Sequence, residues 1–287
     1  MKPIKLLFLA LLLIPQVSFA QKVDTISVYS PAMKKNLQAA VITPKDYDKN
    51  NKSLPSIYLL HGGGGRFSDW HKQIIEPSLL LDLANQHQVI IITPGVGPAS
   101  YYFDSPLLDT VKYETYITQE LIPFVDSKYR TVQDRKGRAI TGLSMGGHGA
   151  ITLSAKHPDL FIVAGSMSGV MNIDTRMWKV PEDFRKLRKD AQVMMLGDIP
   201  YDAPYSTFTA VGLVDRMKDN GIALLIDCGV DDFLIDTNRL IHQLLLEKGV
   251  PHEYTERPGA HTWKYWTEAL PFHLLFIDQE FKRQGVK

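Results

Sequence analysis

Cysteine is nearly absent: Cys228 is the single one among 287 residues. No internal disulfide can form, so the fold has to rest on its core, and an apolar share of 45% is ordinary for a globular protein. Neither sign of charge dominates, with 32 basic against 31 acidic side chains. That balance argues against nucleic acid or an anionic membrane as a partner. Long apolar runs are missing apart from Leu6 to Ile14, which follows Lys2 and Lys5. Nine residues do not span a bilayer, which takes about 20. With Ser18 and Ala20 supplying small side chains after it, the run reads as a secretory signal cleaved after Ala20. No cysteine adjoins that junction, which argues against a lipid anchor. The expected mature chain, residues 21–287, is exported to the periplasm or secreted and has no membrane attachment. Losing Lys2 and Lys5 leaves 30 basic groups against 31 acidic ones, a formal charge of −1. Oligomeric state has no signature here.

Linkers are absent as well, and a mature chain of this length suits one large domain better than two small ones. Motifs for cofactors are missing: no lysine of the G-x-x-x-x-G-K-[ST] type, no G-x-G-x-x-G opening a helix, no H-E-x-x-H. The expectation is neither cofactor nor metal. What is present is a rhythm of short apolar runs and helical stretches. Strands are predicted at Thr25 to Tyr29 and Asn36 to Ile42, joined through Ser30-Pro31-Ala32 as an antiparallel edge hairpin. Further strands are predicted at 56–60, 89–93, 138–141, 161–166, 223–228 and 253–256. Helical spacing marks 113–129, 236–248 and 263–281, with Asp236 placed to cap the second and Gly249 to end it. Alternation of this kind predicts an α/β fold, a mostly parallel sheet with helices on both faces. Residues 171–206 break the rhythm, mixing three prolines with Trp178, Phe184 and Tyr201. They are either a lid insertion over a site or an irregular surface excursion. The basic run Arg185, Lys186, Arg188, Lys189 reads as a solvated helix face.

The strongest local signal is Gly142-Leu143-Ser144-Met145-Gly146-Gly147, between a predicted strand and a predicted helix. This strand, elbow and helix context carries the nucleophile of α/β-hydrolases, with Ser144 at the tip. A serine hydroxyl needs a base within hydrogen-bond reach and a carboxylate to orient that base, in the chain order serine, acid, histidine. His242 and His273 lie in helical patterns, and His157 precedes Pro158 at a helix end. His261 instead sits in a loop between the last strand and the last helix, where this fold places its base. The acid falls in the loop after 223–228, where Asp231 and Asp232 both qualify and spacing does not choose between them. Cys228 beside them reads as a buried filler rather than a second nucleophile. His61-Gly62-Gly63-Gly64-Gly65 leaves an early strand where the fold donates an oxyanion amide.

These segments, with Tyr102-Phe103-Asp104-Ser105, Cys228-Gly229-Val230-Asp231-Asp232-Phe233-Leu234 and Gly259-Ala260-His261-Thr262-Trp263, make a chain that resembles the Putative esterase family. That family includes esterase D, tributyrin esterases, S-formylglutathione hydrolases, mycolyltransferases, and the acetyl-xylan and feruloyl esterases of carbohydrate esterase family 1. The resemblance implies a catalytic set of Ser144, Asp232 and His261, with oxyanion amides from Gly63 and Met145. It implies that Tyr102 and Asp104 line or brace the site, and makes His61 and Trp263 further pocket candidates. The expected activity is hydrolysis of a small-molecule or polysaccharide-linked acyl ester, acetyl or feruloyl on carbohydrate. An acyltransferase of the mycolyltransferase type, a siderophore-ester hydrolase and a non-catalytic binding module remain alternatives. The exported character and the glycine run set the chain apart from the cytoplasmic thioesterase branch.

Overall fold

A computed structural model describes residues 23–49, 51–198 and 207–287; the expected signal, residues 1–20, lies outside them. Eight strands form one sheet: β1 Val23–Ser30, β2 Lys35–Ile42, β3 Ser56–Leu60, β4 Ile90–Pro94, β5 Arg138–Leu143, β6 Val163–Met167, β7 Ala223–Gly229 and β8 Glu253–Arg257. Their spatial order is β1-β2-β4-β3-β5-β6-β7-β8. The β1–β2 hairpin pairs antiparallel and joins β4 antiparallel, while the pairings from β4 to β8 are parallel. The alternation of elements predicts this mostly parallel α/β sheet, and the motif around Ser144 and the family resemblance imply its α/β-hydrolase architecture.

Strand side chains alternate between faces, and the core divides accordingly. Tyr58, Leu60, Ile92 and Ile140 belong to one cluster, Ile57, Leu59, Ile91 and Ala139 to the other. Helices α1 Leu79–His87 and α6 Trp263–Arg283 cover the second cluster with Leu80, Leu83, Leu270 and Leu274. On the first lie α2 Ile122–Lys128, α3 Met145–Lys156 and α5 Ile235–Glu247, through Val125, Ile151 and Ile241. Each such side chain contributes about 1.5–3 kcal/mol when fully buried. Burial on both faces explains why the central strands read as unbroken apolar runs rather than alternating ones.

Two local expectations are corrected. The stretch 113–129 is not one regular helix: a π-helical segment, Tyr116–Leu121, precedes α2. Pro123 has no N–H to donate back along the helix, and a widened turn absorbs that loss. Asp236 does not cap α5. Asp232 accepts from the Leu234 N–H at 2.9 Å just before the helix, and Asp236 lies within the first turn, 3.0 Å from Lys179 Nζ. Gly249, at φ 65°, follows that helix as expected, because a left-handed residue there suits glycine.

Two histidines are sealed into this core. Burial pushes the His148 imidazole down to about 4 and His273 to about 3. Both stay neutral in the native protein while the unfolded chain binds protons below about 6.5. Stability is therefore complete above that pH and is lost as pH falls from 6.5 towards 4, by on the order of 3 kcal/mol for each histidine. Urea midpoints measured across this window should fall with pH, and His273→Gln should flatten the slope. An unchanged slope would mean that His273 titrates freely in the folded state.

Candidate active site

Parallel pairing brings the carboxyl ends of β3, β5, β7 and β8 to one edge, and each is followed by a loop carrying chemistry. The β3–β5 register sets Leu60 beside Gly142, so the glycine loop after β3 adjoins the turn after β5. That turn is sharp. Ser144 has φ 54° and ψ −118°, a strained conformation for a side-chain-bearing residue. Its backbone is tied down from two sides: its N–H donates to Met167 O at 2.9 Å and its carbonyl accepts from Val170 N at 3.2 Å. The flanking glycines are a steric necessity. A Cβ at Gly146 would lie 2.5 Å from Leu60 O, and one at Gly142 would lie 2.7 Å from Leu60 Cβ.

Ser144 Oγ is 2.9 Å from His261 Nε2, and His261 Nδ1 is 2.8 Å from Asp232 Oδ2. One hydrogen-bonded path thus joins three segments that are far apart in the chain. Asp232 is fully buried, whereas Asp231 is exposed and uses its N–H on Gly259 O at 2.9 Å. The imidazole lies between two aromatic rings, Phe233 at 4.4 Å and Trp266 at 4.8 Å between centroids. These walls restrict the ring to the orientation that serves both hydrogen bonds. Thr262 caps α6 by accepting from Tyr265 N at 3.3 Å, which fixes the end of the His261 loop. Behind both loops, Asp227 is bound by Arg257 and by the Tyr265 hydroxyl. Burial raises its carboxyl above the ordinary aspartate range even so.

The glycine loop is braced from beneath. Trp70 Nε1 donates to Leu60 O at 3.0 Å and the Tyr102 hydroxyl donates to His61 O at 2.9 Å. His61 is itself buried: Nε2 accepts from Val96 N at 3.1 Å, so Nδ1 carries the proton and donates to Gly62 O at 2.8 Å. His61 is therefore not a pocket residue, which corrects that expectation. Its imidazole is consumed by backbone, and burial keeps it neutral. Tyr102 and Asp104 brace rather than line. Tyr102 is fully buried against Gly149, and the Asp104 carboxylate holds Thr115 through its N–H at 3.1 Å and its hydroxyl at 2.6 Å. Gly63, Met145 and Trp263 do border the cavity over Ser144, whose volume is about 340 Å³. Met145 is the first residue of α3, where the N–H groups have no intrahelical acceptor.

The sequence model of one family, described as Putative esterase, matches residues 30–277. The chain belongs to that family. Together with its esterase relatives, this makes it a carboxylic ester hydrolase. It is similar to an acetyl esterase of Caldicellulosiruptor saccharolyticus, 27% identical over 256 residues, covering 85% of this chain and 94% of the relative. It is also similar to a diacylglycerol acyltransferase/mycolyltransferase, Ag85A, of Mycobacterium leprae, 30% identical over 280 residues, with 86% and 80% covered. A solved ferulic acid esterase superposes with a TM-score of 0.75 at 32% identity, covering 91% of this chain and 98% of that one.

Several lining residues of this esterase are not among its expected site residues, although Trp178 and Phe184 belong to the stretch for which a lid over a site is one of two alternatives. Phe233 and Trp266 flank the base, and Tyr101, rather than Tyr102, faces the cavity. The third group comes from α4 Glu182–Leu196, within the stretch that interrupts the strand–helix rhythm. Trp178 precedes it, and Phe184 and Arg188 project from it into the cavity. Its other side is anchored: Gln192 Nε2 donates to Ile173 O at 2.8 Å, and Ser105 Oγ donates to Met195 O at 2.6 Å. The basic run is thus not uniformly a solvated face. Arg185 and Lys186 pair with Glu182 and Asp190 on the surface, while Arg188 turns inward. The spacing of Phe184 and Arg188, one helical turn apart, was the available signal. Cys228 is buried, and burial pushes its thiol well above the ordinary range, as suits an inert filler.

Proposed function

We propose that this chain is exported after loss of residues 1–20 and that its 21–287 domain hydrolyses acetyl or feruloyl esters on carbohydrate. Ser144 attacks the ester carbonyl as His261 Nε2 takes its proton, and Asp232 holds the imidazole and steadies the imidazolium that forms. The oxygen of the tetrahedral species is bound by the amides of Gly63 and Met145, each such donor being worth about 3 kcal/mol. His261 then protonates the departing alcohol, leaving an acyl group on Ser144. Water repeats the sequence and releases the acid.

The observation that carries this reading is the unbroken path from Ser144 Oγ through His261 to buried Asp232. The substrate class draws on the likeness to an acetyl esterase and to a ferulic acid esterase structure. It also draws on a cavity walled by Trp178, Phe184, Phe233, Trp263 and Trp266, which offers flat apolar faces to an aromatic acyl group. In the same reading residues 171–198, the described part of the stretch that breaks the strand–helix rhythm, cover the mouth of the site; residues 199–206 lie outside the described residues.

A hydrolysis panel tests it. Methyl ferulate and acetylated xylan should be cleaved with kcat/KM at least about tenfold above tributyrin and S-formylglutathione, a margin of about 1.4 kcal/mol. A reversed ranking would defeat the carbohydrate-acyl assignment while leaving ester hydrolysis intact. The likeness to a mycolyltransferase favours one second reading, transfer to an acceptor. Acyl-sugar formed at the expense of free acid, with glucose or trehalose added, would establish it.

A further inference from the structure

We infer that Arg188 forms an anion subsite beside Gly63, so that a carboxylate near the scissile bond strengthens binding of an ester relative to its neutral analogue; this rests on the reading of Ser144 as nucleophile. The guanidinium borders the same cavity as Ser144 and His261. A Cβ placed on Gly63 would be 3.5 Å from Arg188 Nη1 and 3.6 Å from Nη2, so the charge lies directly against the glycine loop. Its position is held by the ring of Phe184, 5.0 Å away and itself a wall of the cavity.

Its neighbours on α4 are satisfied, Arg185 by Glu182 at 3.1 Å and Lys186 by Asp190 at 2.9 Å. Arg188 has no carboxylate partner among the described residues. A half-buried guanidinium facing an otherwise aromatic cavity is incompletely solvated, and the face of one phenyl ring offsets that only in part. A carboxylate fits its planar fork of donors with two parallel hydrogen bonds, in a geometry that a lysine would not offer.

The second fixed charge bordering the cavity is Asp69, and it lies at the opposite end of the glycine loop. A Cβ on Gly65 would be 2.8 Å from its Oδ2, which accepts from Arg66 N at 3.0 Å. The cavity is therefore polar along the loop, negative beside Gly65 and positive beside Gly63. An ester with one anionic arm has a single favourable orientation there, its carboxylate towards Gly63.

Two matched pairs of esters test the subsite. Mono-4-nitrophenyl glutarate against 4-nitrophenyl pentanoate places the charge on the acyl side; 4-carboxyphenyl acetate against 4-(methoxycarbonyl)phenyl acetate places it on the leaving group. Comparing the full-length protein with Arg188→Met and Arg188→Glu cancels intrinsic differences in ester reactivity. In one pair or the other, the anionic-over-neutral ratio of kcat/KM should fall by about tenfold on Arg188→Met, mainly through KM, and further on Arg188→Glu. Ratios that move less than about threefold in both pairs, with a fluorophosphonate probe still labelling Ser144, overturn the subsite alone. Loss of both hydrolysis and labelling in the unaltered protein overturns the nucleophile assignment and the subsite with it.

Discussion

Ser144→Ala is expected to lower kcat on every ester by about 10⁵- to 10⁶-fold and to abolish labelling by a fluorophosphonate probe. The size of the effect follows from what remains. Without the hydroxyl no acyl-enzyme forms, and the oxyanion amides with substrate binding supply only the residual about 10³- to 10⁴-fold over water. Alanine at this position keeps the same backbone demand, φ 54°, and the ties to Met167 and Val170 are made by main-chain atoms. The variant should therefore fold, and its melting temperature should stay within a few degrees of the parent. Mass spectrometry that finds the probe on any other residue would reject the assignment. A variant that retains a tenth of the activity would do so equally.

Asp232→Asn is expected to reduce kcat by about 10⁴-fold, while Asp231→Asn changes it by less than about threefold. The two side chains are adjacent in sequence and differ in environment. Asp232 is buried and accepts from His261 Nδ1, whereas Asp231 is solvent-exposed and contributes its amide to the loop contact with Gly259. An asparagine amide at 232 can present a donor to Nδ1 and favour the tautomer whose Nε2 bears the proton. That tautomer cannot accept the serine proton. Steady-state kinetics on 4-nitrophenyl acetate separates the cases, and comparable losses in both variants would show that the acid is not fixed at Asp232.

The elements most legible in the sequence are those whose residues act locally. Ser56–Leu60 coincides with its expected strand because an apolar run of that length is buried on both faces. The hairpin and the order of strands and helices follow likewise from periodicity and turn chemistry. Boundaries move where neighbours intervene. Thus β5 runs on to Leu143, because pairing with β3 and β6 carries it up to the elbow. The π turn before α2 required weighing Pro123 against a stretch that otherwise scans as one helix.

The site divides in the same way. Ser144 and His261 stand out because the glycine-flanked turn and the loop after the last strand are local patterns, readable without knowing any distance. Asp232 over Asp231 was open on spacing alone: consecutive residues in a loop point in different directions, and burial, 1% exposure for Asp232, is a property of the assembled fold. His61, Tyr102 and Asp104 lie beside motif residues in sequence, yet their polar atoms are used beneath the site on Val96, His61 O and Thr115.

What the sequence determined by itself is the architecture, the sharp turn at Ser144 and the order in which nucleophile, acid and base follow along the chain. Those are consequences of local sterics and of apolar periodicity. Only the tertiary structure decided which aspartate meets His261, that Phe233 and Trp266 hold its ring, and that Arg188 reaches Gly63. Each of these is a through-space relation between segments brought together by the sheet register and by the anchoring of α4. No local pattern encodes such a distance.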